Sequence, residues 1–287
     1  MKDGEKTKEG IGKLLIPDKD GAQGYCKLEK ELKNLKDDLL TWTDSLDELS
    51  VIERAFKTYE KNSPDGKAIL DVGTDCVKPL YIALKFKPAK VIGINEDLYI
   101  YSFASDLKQK SKFFTNTKIE LCNCSLFDNE KFDRTMKKHG FSNRKFDFVL
   151  VSKTLHHLRT GECIAQNRDR KHDCKKDETE KDCIYEFDEQ LVFEKLLELG
   201  TRVIIYEWFD PTRKDPDKIR GRGGYFTTEE WMKMFKYLSG KHRVKFIQPK
   251  RFDLDKEPLD RVESMLRQVD NICFYVEEQH VRNAEKL

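Results

Sequence analysis

The sequence predicts an α/β fold: a doubly wound, mostly parallel seven-stranded sheet with helices on both faces, an antiparallel C-terminal edge pair and an N-terminal helical extension. Five short apolar runs alternate with segments of helical periodicity, as in βαβ units whose parallel strands are covered on both faces. Two further apolar runs near the C-terminus have no clear helix between them, so we expect them to pair antiparallel. The predicted strands are 67–72, 90–95, 118–124, 146–152, 201–208, 242–249 and 271–277.

The segments outside these strands define the expected domain organisation. Residues 1–24 are rich in Lys, Asp and Gly and predict a flexible lead. Residues 25–62 predict a helical extension, with one helix over 28–40 and a second over 46–61. The α/β domain should then occupy residues 63–280, interrupted by a polar insertion over 160–185.

Composition and charge limit the classes of function. Basic and acidic residues number 54 and 52, and this balance of +2 gives no overall attraction to nucleic acid or membranes. The chain has no apolar run near the roughly 20 residues of a membrane helix, and its charged N-terminus does not resemble a signal peptide. We therefore expect a cytoplasmic protein with reduced thiols and no contact with membranes.

Polar residues recur where the predicted parallel strands end. In open α/β sheets, ligands bind beyond the carboxyl ends of the strands, so these positions are the first candidates for a site. They are Asp71 and Gly73 after the first strand, Asn95, Glu96 and Asp97 at the second, Ser125 and Asp128 after the third, and Ser152, His156 and His157 at the fourth.

Three of these segments carry a resemblance to a known family. AILDVGTDC, VIGINED and FDFVLVSKTLHHL resemble, in this order, the first, second and fourth motifs of the class I S-adenosylmethionine-dependent methyltransferases. GYFTTEEWMKMF resembles the late helix that follows the fifth strand in many members. The resemblance covers roughly residues 50–276 and implies S-adenosylmethionine as the cofactor.

The resemblance also implies roles in cofactor binding. Asp71 would order the first loop and the methionine amino group, and Gly73 would lie under the cofactor, where Gly permits close approach. Glu96 or Asn95 would bind the ribose hydroxyls, because an acceptor at the end of the second strand can take both. An alternative for Asp71 is a purely capping role, and for Glu96 a solvated charge at a helix start.

Further implied positions are those around the adenine and the reactive methyl group. Cys124 and Ser125 would flank the adenine, while Ser152 and Lys153 would line the floor near the methyl group. His156 or His157 is a candidate base for a poorly nucleophilic acceptor. The alternative for the two histidines is packing and capping at the start of a helix.

The first loop departs from the family pattern of three spaced glycines. Asp75 and Val77 stand where the later glycines would be. Asp75 could pair with the cofactor's ammonium group or repel its carboxylate, and Lys78 could supply compensating charge. The departure concerns cofactor affinity more than the fold.

Two other segments attract attention. The insertion contains Cys163, His172, Cys174 and Cys183, but their irregular spacing favours a reduced flexible loop over zinc, so we predict no metal. The segment 211–225, including Arg213 and Arg222, could contact phosphate or an RNA backbone, or could be an ordinary basic surface loop.

These observations leave three functional hypotheses. The first is a methyltransferase that acts on RNA or a small molecule, and methyl transfer needs mainly positioning and desolvation. The second is a non-catalytic binding or scaffold protein on the same fold, with a degenerate cofactor loop. The third is another transfer from the same cofactor or its relatives, such as that of an aminopropyl group.

Overall fold

The computed structural model describes residues 46–58, 65–74, 78–96, 116–141, 145–158, 187–208 and 226–278. Several predictions concern residues outside these ranges: the lead 1–24, the helix over 28–40, Asp75, the insertion 160–185 and the segment from Arg213 to Arg222. The chain divides into two compact units, of residues 1–53 with 61–140 and of residues 54–60 with 141–287. The helix α1 spans Leu46–Lys57, with Ile52 and Phe56 buried as their spacing predicts.

The first unit contains three parallel strands in the order β3-β2-β1. Its described elements are β1 Ala68–Val72, α2 Lys78–Phe86, β2 Lys90–Asn95, β3 Lys118–Asn123 and α3 Asn129–Lys138. Asp71 is in register with Gly93, and Asn95 with Asn123. The polar residues at the strand ends are therefore neighbours along one edge of the sheet.

The described residues of the second unit form five strands in the order β4-β5-β8-β6-β7. Its strands are β4 Phe148–Ser152, β5 Arg202–Trp208, β6 His242–Gln248, β7 Phe252–Asp253 and β8 Asn271–Glu278. Its α-helices are α4 Glu189–Leu199, α5 Thr228–Lys241 and α6 Leu259–Leu266. β4 and β5 are parallel, whereas β8 is antiparallel to both β5 and β6.

The predicted α/β class and antiparallel C-terminal strands are confirmed. Over the described residues the sheet has eight strands instead of seven, because the two-residue β7 pairs with β6. The expectation of no helix between the last two long strands is wrong, since α6 lies there. Its eight residues bury Val262 and Leu266 on one side, a pattern too short to stand out in the sequence.

The ends of two helices are set by side chains in the preceding turn. Thr227 and Glu230 form a capping box at the start of α5, and Asp188 accepts a hydrogen bond from Leu191 N at the start of α4. Packing in the second unit depends on an aromatic cluster around Trp231, whose ring centroid lies 5.5 Å from that of Phe235. No helix in the described ranges is long and apolar enough to cross a membrane.

Candidate functional site

The turn after β1 is held by the side chain of Asp71. This residue is fully buried, and Thr74 Oγ1 donates a hydrogen bond to its Oδ2 over 2.6 Å. Between them, Gly73 has a φ of +68°, in the left-handed region where a side chain is strained. Asp71 therefore orders the loop from within, and Gly73 is required for the bend.

Lys78, the first residue of α2, supplies the positive charge beside Asp71. Its Nζ lies 3.9 Å from Asp71 Oδ1, and the two side chains are 3% and 0% exposed. Neither charge has bulk water to solvate it, so each compensates the other. Lys78 thus supplies its charge to Asp71, the residue that the family resemblance assigns to the cofactor's amino group.

Asn95, at the end of β2, is tied to the same turn. Its Nδ2 donates to the carbonyl oxygen of Thr74 over 2.7 Å, and Thr74 N donates to Ile94 O over 2.9 Å. Gly93 leaves room for Thr74, because a Cβ at position 93 would lie 2.8 Å from its Cγ2. The amide of Asn95 consequently serves to hold the turn.

Glu96 is exposed at the end of β2, and Asn123 fixes the backbone beneath it. Asn123 Nδ2 donates to the carbonyl oxygens of Asn95 and Glu96, over 3.2 and 2.9 Å. Lys131 Nζ in turn donates to Asn123 Oδ1 over 3.1 Å. Sequence reasoning missed Asn123, although a polar side chain near the end of a predicted strand was an available signal.

The residues after β3 form a turn and a helix cap. Phe127 N donates to Ser125 Oγ over 3.4 Å, and Lys131 N donates to Asp128 Oδ1 over 3.1 Å at the start of α3. Cys124 is buried, and this burial raises the pKa of its thiol, against the opposing effect of Lys131. Asp128 is thus a capping residue in the structure.

The turn after β4 has an unusual backbone at Lys153. Its φ is +53°, and its N–H donates to Tyr206 O over 2.8 Å, which extends the pairing of β4 with β5. Its Nζ lies 4.0 Å from the ring centroid of Trp208, a cation–π contact. Ser152 before it is buried, and its carbonyl oxygen accepts a hydrogen bond from Thr154 Oγ1.

His156 lies against a buried carboxylate that sequence reasoning missed. Glu207, on β5, is fully buried, and its Oε1 is 3.0 Å from His156 Nδ1, although the angle at the ring is outside hydrogen-bond geometry. The backbone N–H of His156 donates to Glu207 Oε2 over 3.3 Å, and that of Trp208 donates to Oε1 over 3.0 Å. A glutamate inside the apolar run VIIYEW was the available signal.

His157 differs from its neighbour. The centroids of the two imidazole rings are 4.0 Å apart, and the side chain of His157 reaches solvent. Desolvation by surrounding protein atoms is the largest cause that lowers the pKa of His157 to about 4, and the neighbouring His156 acts in the same direction. Glu207 has the opposite effect. His157 is therefore a weak base at neutral pH, and His156, whose ring lies beside the Glu207 carboxylate, is the better candidate for accepting a proton.

Comparisons with known proteins find structural likeness only. No family model and no curated protein matches the sequence. The plantazolicin methyltransferase BpumL, solved with a desmethylPZN analog and SAH, has a TM-score of 0.47 and 14% identity, over 96% of this chain and 99% of that one.

Two other solved structures give similar values. Magnesium protoporphyrin IX methyltransferase from Synechocystis PCC 6803 with bound SAM has a TM-score of 0.40 and 11% identity, over 94% and 90% of the two chains. YcgJ from Bacillus has 0.44 and 13%, over 80% and 98%. The chain is similar to these proteins at low sequence identity.

Proposed function

We propose that the chain is a methyltransferase that binds S-adenosylmethionine at the carboxyl ends of β1, β2 and β3. The observation that carries the proposal is the bend at Gly73, two residues after the buried Asp71, with the carboxylate of Glu96 exposed at the end of the neighbouring strand. Ligands of open α/β sheets bind at this end of the strands, and an acid after the second strand suits ribose hydroxyls.

The described residues fit the nucleoside part of the cofactor better than its amino-acid part. Glu96 offers an exposed acceptor, whereas Asp71 already accepts from Thr74 and faces Lys78. When bound, the cofactor supplies an electrophilic methyl group on a sulfonium. Asp71 then acts through the loop that it orders, and Glu96 is the residue we assign to the ribose.

The remaining candidates are assigned to the acceptor. His156, held by Glu207, would take a proton from a nucleophile that is protonated at neutral pH. His157 and Lys153 would shape its surroundings. We propose RNA or a small molecule as the acceptor and the cytoplasm as the location.

The Lys78–Asp71 pair favours a second candidate function. A carboxylate that is neutralised from within the chain needs no ligand to compensate its charge. The same residues are therefore compatible with a binding or scaffold protein whose cofactor loop has degenerated.

Calorimetry with S-adenosylmethionine and S-adenosylhomocysteine tests the proposal. We expect micromolar binding that weakens about tenfold in Glu96→Gln, the effect of losing one charge-assisted hydrogen bond. Asp133→Asn is the matched control, because it removes an exposed acid on α3 and should leave binding unchanged. Absence of binding at millimolar cofactor would reject the enzyme and favour the scaffold.

A second experiment identifies the acceptor once binding is shown. Tritiated methyl groups from the cofactor should enter either RNA or small-molecule extracts. His156→Gln should lower the rate most at neutral pH and least at acidic pH if His156 removes a proton, because an imidazole acts as a base only while it is unprotonated, with Glu207→Gln showing a weaker effect of the same kind. A rate that is unchanged in both variants would reject the role of this pair.

A further inference from the structure

A cysteine, a histidine and a glutamate meet in the first unit, away from the strand-end residues discussed above. Glu120 and Cys122 are two residues apart on β3 and so share a face of the sheet. The Sγ of Cys122 is 3.5 Å from Nε2 of His139, and the Nδ1 of His139 is 4.0 Å from Oε2 of Glu120. The imidazole therefore lies between a thiol and a carboxylate, the order found in activated nucleophiles.

The backbone fixes the position of the histidine. His139 is the C-cap of α3, where its N–H donates to the carbonyl oxygens of Thr135 and Met136 over 3.2 and 3.1 Å. The carbonyl end of a helix stabilises a positive charge, so this position favours the protonated imidazole. A proton taken from the thiol would thus be held at a suitable place.

Two lysines lie close to residues of this cluster. Lys90 Nζ donates to His139 O over 2.5 Å, and Lys118 Nζ lies 3.6 Å from Glu120 Oε1. Burial, and then the charge of Lys118, lower the pKa of Lys90. Glu120 and Cys122 act in the opposite direction, so the Lys90 ammonium is within electrostatic range of the sulfur. Nearby cations favour a thiolate over a thiol.

Solvent exposure separates Cys122 from the other described cysteines. Cys122 keeps 8% of its surface exposed, against 2% for Cys124 and 0% for Cys273. The side chains of His139 and Glu120 are 14% and 16% exposed. Water and small reagents therefore have more access to this cluster than to either of the other two thiols.

We propose that Cys122, His139 and Glu120 form a reactive-thiol site that exchanges with small-molecule disulfides. His139 accepts the Cys122 proton, and the thiolate attacks one sulfur of the disulfide. A new S–S bond forms as the old one breaks, and the leaving sulfur takes the electron pair and then the proton. Cys122 is oxidised and the departing thiol is reduced. This site is independent of methyl transfer, so either proposal can fail without the other.

Modification of the full chain by 2-hydroxyethyl disulfide, followed over a range of pH by peptide mass spectrometry, tests the proposal. We expect Cys122 to react faster than Cys124 and Cys273 in the same sample at neutral pH. Lowering a thiol pKa by one unit raises the rate about threefold below that pKa, since the thiolate fraction rises tenfold while its nucleophilicity falls. The rate of Cys122 should therefore become independent of pH at a lower pH than an ordinary thiol near 8.5.

Two variants assign the effect to the neighbours. His139→Gln should slow Cys122 at least about threefold at neutral pH and recover at alkaline pH, where any thiol ionises. Glu120→Gln should have a smaller effect of the same kind, and Glu130→Gln, at an exposed position on α3, should have none. Circular dichroism would verify that each variant is folded.

Two results would overturn the proposal: a Cys122 that reacts no faster than Cys124, or a pH profile unchanged in His139→Gln. If His139→Gln does not fold, the pH profile of the Cys122 modification rate in the wild type tests the proposal. A midpoint of that profile at or above the ordinary thiol pKa would exclude activation of Cys122. An increase in labelling that appears equally at all three cysteines would indicate unfolding and would also reject the site.

Discussion

Asp71 in the first unit and Glu207 in the second are both buried carboxylates, but their side chains face different partners. Both are fully buried, and both lie at the carboxyl end of a parallel strand. Asp71 faces a lysine at 3.9 Å, whereas Glu207 faces a histidine at 3.0 Å. The partner of Asp71 is an ammonium group, and the partner of Glu207 is an imidazole, the kind of side chain that most often serves as a general base.

The difference indicates which pair can take part in chemistry. Lys78 and Asp71 are both buried and lie within ion-pair distance, so this pair stabilises a loop shape. Glu207 also receives two backbone hydrogen bonds, from His156 N and Trp208 N, which support its charge whichever form His156 adopts. A carboxylate held in this way can stabilise the positive charge of a neighbouring imidazole that has accepted a proton.

Removal of Lys78 should have the largest effect on stability. Lys78→Met leaves the Asp71 carboxylate buried without its cation, and breaking one partner of a buried pair costs about 3 kcal/mol or more. The double variant Lys78→Met with Asp71→Asn should regain part of this loss, because both charges are gone. Equilibrium urea unfolding measures the free energies.

Lys85→Met is the matched control for this comparison. Lys85 also forms an ion pair with an acid, because its Nζ lies 3.5 Å from Glu53 Oε1, but the Lys85 side chain is 48% exposed. Its loss should cost less than about 1 kcal/mol. If the loss of unfolding free energy in Lys78→Met with Asp71→Asn equals the sum of the losses in the two single variants, then Lys78 and Asp71 are not coupled.

Neutralising Glu207 should have a smaller effect. Glu207→Gln keeps an oxygen acceptor for Trp208 N but removes the charge that faces His156, and losing a charge-assisted interaction in the core costs about 2 kcal/mol. Glu277→Gln, whose parent side chain is 21% exposed beside Arg202, should cost about 1 kcal/mol or less. If Glu207→Gln and Glu277→Gln lose the same unfolding free energy in urea, then the burial of Glu207 does not increase its contribution to stability.

The two turns after β1 and β4 also differ in which residue has a positive φ. Gly73→Ala places a Cβ in the left-handed region and should cost about 1–2 kcal/mol. Lys153→Gly should leave stability nearly unchanged, because relief of the same strain is offset by backbone entropy and the lost contact with Trp208. Thermal unfolding measures both.

Gly240→Ala is the control for the glycine substitutions. Gly240 is helical, and a Cβ there meets open space, so the change should stabilise by roughly 0.5–1 kcal/mol. If Lys153→Gly were instead strongly destabilising, the lysine side chain would contribute more to the fold than its contact with Trp208 indicates. A stabilising Gly73→Ala would refute the required bend.

The smallest expected effect concerns pH. The folded state holds the pKa of His157 at about 4, below its ordinary 6.5, so the unfolded chain binds the proton more readily. The stabilisation from the neutral ring is therefore complete above pH 6.5 and declines as the pH falls towards 4. His157→Gln should flatten the loss of stability between neutral and mildly acidic pH in urea unfolding. A pH dependence identical to that of the wild type would contradict this assignment.

Some features were readable from the sequence because they depend on local pattern. The apolar runs at Lys90–Asn95 and Arg202–Trp208 predicted strands within one residue, since both faces of these strands are buried. Asn129–Lys138 escaped notice because Phe132 and Met136 are its buried side chains in an otherwise polar helix. Short elements with two apolar contacts give too weak a periodicity to be recognised.

The sequence by itself determined the alternation of strands and helices, the antiparallel C-terminal strands and the candidate positions at the strand ends. Only the tertiary structure decided how those positions are used: Lys78 compensates Asp71, Glu207 lies beside His156, and His139 contacts Cys122. The physical reason is that burial and periodicity are properties of neighbouring residues, whereas these pairs depend on strand register and helix placement. The second pair joins residues 51 positions apart, and no local pattern specifies which charges meet at that separation.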